Sequence, residues 1–321
     1  MRIGIEESLL PYGSKLFSSL GDVVPLSDSR VDACIVRATV RVDQDFVAQR
    51  PGLAWVASAT SGEDHLDHRV LTDAGVKSYT AKGCNAEAVA DWVELALEAV
   101  GVRPTRLGIV GVGHVGTAVA ERFDCETLRC DPPRARNEVS FESVPVETIF
   151  DSCDVVTLHV PLLPSTDAFI NRLLLERLGP GTLLNAARGE VLDVNDALDF
   201  ARKGGRLCLD VFPHEPNVDP RLIDAANFVT PHVAGHTAQA KNNGLEMCAR
   251  WLGRQVGAAV QGRAAFRADD CHPRQTLLQA DRAMREGRPF RTIRSNSLRR
   301  SLARGGEGWI EEAADPSERM C

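Results

Sequence analysis

The chain has 321 residues, of which 44% are apolar, with nine cysteines and a formal net charge of −7. That length buries a sizeable core, about two domains' worth, and the negative balance excludes a nucleic-acid binder in the absence of a local basic patch. No apolar run reaches the roughly 20 residues of a membrane-spanning helix, and the start Met1-Arg-Ile-Gly-Ile5 lacks a signal-peptide layout, so a cytoplasmic protein is expected.

Taken in chain order, the pattern is one of short apolar strands alternating with longer helices. Strands are predicted at 2–6, 33–37, 53–57 and 75–79, with a helix at 10–20. An alanine-rich helix over 87–100 follows, with Asn85 as its expected cap. Strands at 107–110 and 127–130 then flank a helix at 117–122. Later strands fall at 155–159, 182–185, 206–209 and 228–230, and helices at 171–178, 194–203 and 238–256. Such alternation predicts an α/β fold with parallel sheets covered on both faces. The pattern runs twice, with a break near 80–105. From residue 261 onward the chain is rich in arginine, has no lysine and shows little periodicity, so 261–321 reads as a weakly ordered tail. The cysteines are scattered and odd in number, with no Cys-x-x-Cys spacing, which suggests neither a disulfide framework nor a metal site.

The most specific motif is Arg106-Leu-Gly-Ile-Val-Gly-Val-Gly-His-Val-Gly116, a G-x-G-x-x-G between a predicted strand and a predicted helix. Gly111 permits a tight turn, Gly113 lets backbone approach a pyrophosphate, and Gly116 lets the helix pack on the strand. The helix N-terminus then offers its N–H groups to phosphate oxygens. Asp131, at the end of the next strand, suits the ribose hydroxyls and repels a 2′-phosphate, which favours NAD over NADP. Arg134 and Arg136 close by keep NADP open. The competing explanation is a glycine turn in an unrelated α/β protein, which does not require the acid.

Arg188, Glu215 and His232 stand where strands end, the place where open α/β sheets bind ligands. Their chemistry forms a set. Imidazole accepts the hydroxyl proton of a secondary alcohol, a carboxylate fixes its tautomer, and arginine clamps a substrate carboxylate. Singly, each has a plainer explanation: a surface arginine, a turn residue before Pro216, a core histidine. His214 is a second imidazole nearby, ranked lower because it lies in a proline-bounded turn.

With the glycine loop, Asn185-Ala-Ala-Arg-Gly189, Asp210 through Pro216 and Pro231-His232, residues 1–256 resemble the D-2-hydroxyacid dehydrogenase family. The strings Glu6-Glu-Ser-Leu-Leu-Pro-Tyr12, Ser58-Ala-Thr-Ser-Gly-Glu-Asp-His65, Gly83-Cys-Asn-Ala86 and Cys130-Asp-Pro-Pro-Arg-Ala135 resemble one branch of it, which oxidises a phosphorylated hydroxy acid. The resemblance implies two Rossmann-like, doubly wound lobes. Residues 1–85 plus 237–260 would form a substrate-binding lobe and 86–236 an inserted NAD-binding lobe, with the active site in the cleft between them. It implies Arg188, Glu215 and His232 as catalytic residues. Gly111, Gly113, His114, Val115, Gly116, Asp131, Val160, Ala186, Ala187, Asp210 and Gly235 would line the NAD site. Ala38, Thr60 and His236 would contact a small phosphorylated hydroxy acid, with no metal, and a homodimer is allowed for. The sequence departs from that branch at Ala38, where serine is usual, at His236, where tyrosine is usual, and throughout 262–321. Those departures leave open another D-2-hydroxy acid as substrate, and a non-catalytic NAD-binding regulator as a different class of function.

Overall fold

The computed structural model describes residues 1–264 and 273–287. They fall into two compact units. The first holds Met1–Asn85 together with the described residues from Thr237 to 264. Its elements are β1 (Arg2–Ile5), α1 (Leu10–Phe17), β2 (Asp22–Pro25), β3 (Ala33–Val36), α2 (Gln44–Ala48), β4 (Trp55–Ser58), α3 (His68–Asp73) and β5 (Lys77–Thr80). The strands form a parallel five-stranded sheet ordered β2-β1-β3-β4-β5. Parallel strands require covered faces, and the long helix α11 (Ala238–Val256) returns to this unit to cover one. Gly244 of α11 lies so close to the Ala59 carbonyl after β4 that a Cβ would collide with it. Trp251 of the same helix stacks on Tyr79 at 5.3 Å between ring centroids.

The second unit holds Ala86–His236 and the described residues of 273–287. It opens with α4 (Ala86–Ala99), then β6 (Arg106–Val110), α5 (His114–Ala120), β7 (Glu126–Cys130), α6 (Pro132–Asn137), α7 (Val146–Ser152) and β8 (Val155–Leu158). Next come α8 (Arg172–Leu178), β9 (Thr182–Asn185), α9 (Val194–Arg202), β10 (Arg206–Leu209), α10 (Pro220–Ala225) and β11 (Phe228–Val229). The strands form a parallel six-stranded sheet ordered β11-β10-β9-β8-β6-β7. β8 and β9 are buried along their whole length, including Thr157, Thr182 and Asn185. Both sheets place their ligand-accessible carboxyl ends where the sequence motifs lie.

The parallel α/β class is as expected, and β9, β10 and α11 keep their expected bounds. Among the local expectations that change, three bear on the argument. β2 was not foreseen, because Asp22-Val-Val-Pro25 carries only two apolar residues and becomes a strand through its pairing with β1. Asn85 does not cap α4 through its carbonyl, since that buried oxygen accepts no hydrogen bond among the described residues. The expected tail is corrected as well: Pro273–Arg285 forms α12, a helix of the second unit. Leu277, Ala280 and Met284 give it a buried face at helical spacing, which the surrounding arginines hide in the sequence. The rest of 261–321, beyond residue 264 and outside 273–287, lies outside the described residues.

Candidate active site

The glycine loop joins β6 to α5 as expected. Gly111 has φ +88°, and a Cβ there would stand 2.7 Å from the carbonyl of His159. Gly116 abuts the Gly111 carbonyl so closely that a side chain would collide with it. Gly113 differs from both: it caps α5, is exposed, and a Cβ on it would meet nothing within 4 Å. Two glycines are therefore required by the protein's own packing. The third borders open space at a helix N-terminus, next to exposed His114 and half-buried Val115. That is the layout a pyrophosphate needs, so these residues fit a dinucleotide.

Asp131 directly follows β7. Its carboxylate accepts from Val112 N at 2.8 Å and from Arg134 N at 2.9 Å, capping α6 and bracing the glycine loop. An ionised carboxylate offers about four lone-pair sites, so these two bonds leave room for ribose hydroxyls. Arg134, which had kept NADP open, is engaged elsewhere. Its guanidinium donates to the Glu138 carboxylate at 2.8 Å and the Val112 carbonyl at 2.8 Å, and lies over the Phe141 ring. Val160 lies beside Gly111, beyond His159 at the end of β8.

Asn185 ends β9 and folds the next loop around itself. Its Oδ1 accepts from Ala187 N at 3.0 Å and its Nδ2 donates to the Arg188 carbonyl at 2.9 Å. Ala186 and Ala187 fill that turn, and Arg188 is half-buried, with Nη1 donating to the Ala187 carbonyl at 2.8 Å. Gly189 then meets Phe212 and Pro213 so closely that no side chain fits. This contact brings the Arg188 loop against the segment that carries Glu215.

Glu215 Oε1 accepts from Phe212 N at 2.9 Å, and its Oε2 lies 2.8 Å from His232 Nδ1. His232 Nε2 makes no hydrogen bond among the described residues, and the side chain is 36% exposed. His214 is exposed, and among the described residues its ring has no carboxylate partner. His232 sits at φ +54°, in the left-handed region a non-glycine residue rarely adopts. Asp210 holds it there. The Asp210 carboxylate accepts from Thr230 Oγ1 at 2.5 Å, Val233 N at 2.8 Å and Ala234 N at 3.0 Å, while its carbonyl accepts from His232 N at 2.6 Å. Trp92 of α4 completes the network, donating Nε1–H to Thr230 Oγ1 at 2.8 Å.

Asp210 is only 1% exposed, and burial pushes its carboxyl up from the usual range against the pull of His232 and these donors. Its side chain faces the loop, so its part in the site is to shape residues 230–235. Thr230 and Trp92 were not singled out in the sequence. Their contact spans 138 residues and leaves no local signal.

In the first unit, Thr60 follows β4, and its hydroxyl lies 2.9 Å from Ser58 Oγ, which in turn lies 2.9 Å from His65 Nε2. Ala38 follows β3 and is exposed. Next to it Arg37 pairs with Glu6 through two bonds of 2.6 and 2.9 Å. His236, at the end of the second unit, donates its backbone N–H to the Val233 carbonyl.

A family model for the D-isomer specific 2-hydroxyacid dehydrogenase NAD binding domain matches residues 79–234. The erythronate-4-phosphate dehydrogenase of Chromohalobacter salexigens is 34% identical over 281 residues, covering 80% of this chain and 73% of that protein. The enzyme of the same name from Pseudoalteromonas atlantica is also 34% identical, covering 80% and 75%. The chain belongs to the D-2-hydroxyacid dehydrogenase family. It is an NAD-dependent oxidoreductase acting on the CH–OH group of a 2-hydroxy acid. A solved 2-hydroxyacid dehydrogenase from Ketogulonicigenium vulgare shares the fold, with a TM-score of 0.69 and 20% identity over 82% of this chain and 98% of that one. Among the described residues no helix is long and apolar enough to cross a membrane, and no cluster of His, Cys, Asp and Glu has the makings of a metal site.

Proposed function

We propose that the protein oxidises 4-phospho-D-erythronate to the 2-oxo acid, a step toward pyridoxal 5′-phosphate, with Arg188, Glu215 and His232 as its catalytic residues. The observation that carries the reading is the His232–Glu215 pair at 2.8 Å, with Nε2 left over for a substrate. Glu215, bound to Nδ1, holds one tautomer and stabilises the imidazolium. Nε2 then takes the proton of the 2-hydroxyl group. Arg188 binds the substrate carboxylate in two-point geometry and orients the carbon that loses hydride. NAD, when bound, accepts that hydride. Gly113, His114 and Val115 would receive its pyrophosphate on the turn that Gly111 and Gly116 allow, and Asp131 its ribose, with Val160, Ala186, Ala187 and Gly235 alongside. Asp210 contributes by holding the loop that bears His232.

The first unit takes the role of substrate-binding lobe, and Ala38, Thr60 and His236 meet the distal end of the substrate. The two curated relatives support the phosphorylated substrate. Ala38, which offers no hydroxyl group, favours a second reading in which the acid differs. Retention of the His232–Glu215 pair argues against a regulator without activity.

A substrate panel with NAD decides among these, with NADH absorbance as the readout. The expected outcome is a kcat/KM for 4-phospho-D-erythronate at least about 100-fold above that for D-erythronate, as loss of charge-assisted bonds to a phosphate implies. Equal values, or a preference for an unphosphorylated acid, refute the phosphorylated substrate. Turnover of none of the panel, with NADH still bound, supports the regulator.

A further inference from the structure

β11 is the last strand of the six-stranded sheet and has only two residues. On one side it pairs with β10, through Cys208↔Phe228 and Leu209↔Val229. An edge strand this short has little ladder to hold it, and its outer N–H needs a partner. α12 supplies one: Val229 N donates to Asp281 Oδ1 at 3.0 Å. Arg285, one turn further along α12, donates Nε–H to both Asp281 oxygens at 3.1 and 3.2 Å. Its Nη2 donates to the Ala226 carbonyl at 3.0 Å, just ahead of β11. Below these polar contacts, Ala280 and Met284 pack in one core cluster with Leu209, Leu222, Ala226 and Val229. Leu277 packs in the cluster that holds Trp92 and Phe228.

The chain leaves Val229 directly into Thr230 and reaches His232 two residues later. The loop is thus held at two points. Asp210 takes the N–H groups of Val233 and Ala234 on its far side, and Asp281 takes that of Val229 on its near side. We propose that α12 is a clamp for the active-site loop, with Asp281 a positioning residue that holds β11 so that His232 meets Glu215. The proposal rests on the reading of His232 as the proton-transfer residue. It makes residues 273–287 a working part of the enzyme. The sequence alone reads this region as a weakly ordered tail.

The test compares Asp281→Ala, Asp281→Asn and His232→Ala in the full chain. Amide hydrogen exchange of the peptide covering 226–234 reads the clamp directly. Asp281→Ala is expected to speed exchange in that peptide and to lower kcat by roughly tenfold, since small misplacements of a reacting group cost that much or more. KM and NADH affinity should stay within about twofold of wild type, because an interaction realised only in the transition state is lost. Asp281→Asn retains an acceptor oxygen and should recover most of the rate. If Asp281→Ala does not accumulate, Arg285→Gln, which loosens the carboxylate without removing it, carries the same comparison. Unchanged exchange over 226–234, or unchanged kcat per folded molecule, overturns the clamp. Full turnover by His232→Ala overturns the reading beneath it, and the exchange measurement still decides whether α12 holds the strand.

Discussion

His159 follows β8 and His232 follows β11 in the same six-stranded sheet, yet among the described residues only His232 has a carboxylate on its ring. His159 Nε2 lies 3.0 Å from the hydroxyl of Thr157, itself fully buried, and among the described residues no carboxylate pairs with the ring. Burial pushes its imidazole down to about 3, so it stays neutral at physiological pH. His232 has Glu215 at Nδ1, no partner at Nε2 among the described residues, and a backbone held in the left-handed region by the Asp210 network. Both rings are half-buried, so the difference lies in the carboxylate, which the turn from Phe212 to Glu215 brings to His232. A histidine at a strand's carboxyl end is a candidate; a carboxylate on one nitrogen and open space at the other make it a base.

The sharpest way to break the comparison is to exchange the two residues' expected effects. His232→Ala should lower kcat by about 10³-fold, within the usual contribution of a general base. NADH affinity, read by fluorescence titration, should change less than about twofold, because no uniform binding is removed. Turnover near wild type would place the base elsewhere and return His232 to the same class as His159.

The glycine loop, which packs against His159, gives a smaller effect and sharpens the other half. Gly113→Ala adds a methyl group in open space, so the melting temperature should hold while NADH affinity falls by roughly tenfold as the backbone loses its approach to the pyrophosphate. Gly111→Ala, at φ +88° and 2.7 Å from the His159 carbonyl, should instead destabilise the fold. Equal losses of stability in the two variants would contradict the assignment of Gly113 to the cofactor and Gly111 to the protein.

What was readable in the sequence follows the same division. Elements whose apolar pattern is local, such as β9, β10 and α11, appear with the expected bounds. Arg188, Glu215 and His232 stood out as candidates because each follows a strand, and the pairing of Glu215 with His232 is a contact the sequence only suggested. α6 was not, since none of its residues is buried and its start is fixed by Asp131 capping across a turn. α12 was obscured by a composition that resembles a tail, and only its packing on β11 shows its apolar face. His159 gave no warning of its role. Its Thr157 partner is only two residues away, but the Gly111 contact comes from the pairing of β6 with β8, a relation between strands 40-odd residues apart.

The smallest effect concerns His159 and has a definite sign. Its ordinary value is near 6.5, and the folded chain holds it at about 3. Between those values the unfolded chain binds a proton that the folded chain refuses, so stability falls as pH falls. Well below pH 6.5 the loss is about 1.4 kcal/mol per pH unit, or up to about 2 kcal/mol between pH 7 and pH 5. His159→Gln keeps a polar side chain beside Thr157 and removes the titration. Urea midpoints of the two proteins, compared across pH 7 to 5, cancel every other titrating group. The wild type should lose ground to the variant as the pH drops, while kcat in the variant stays within about threefold. A difference in midpoint that does not move with pH would mean that His159 takes up its proton in the folded state, and the contrast with His232 would then rest on Glu215 alone.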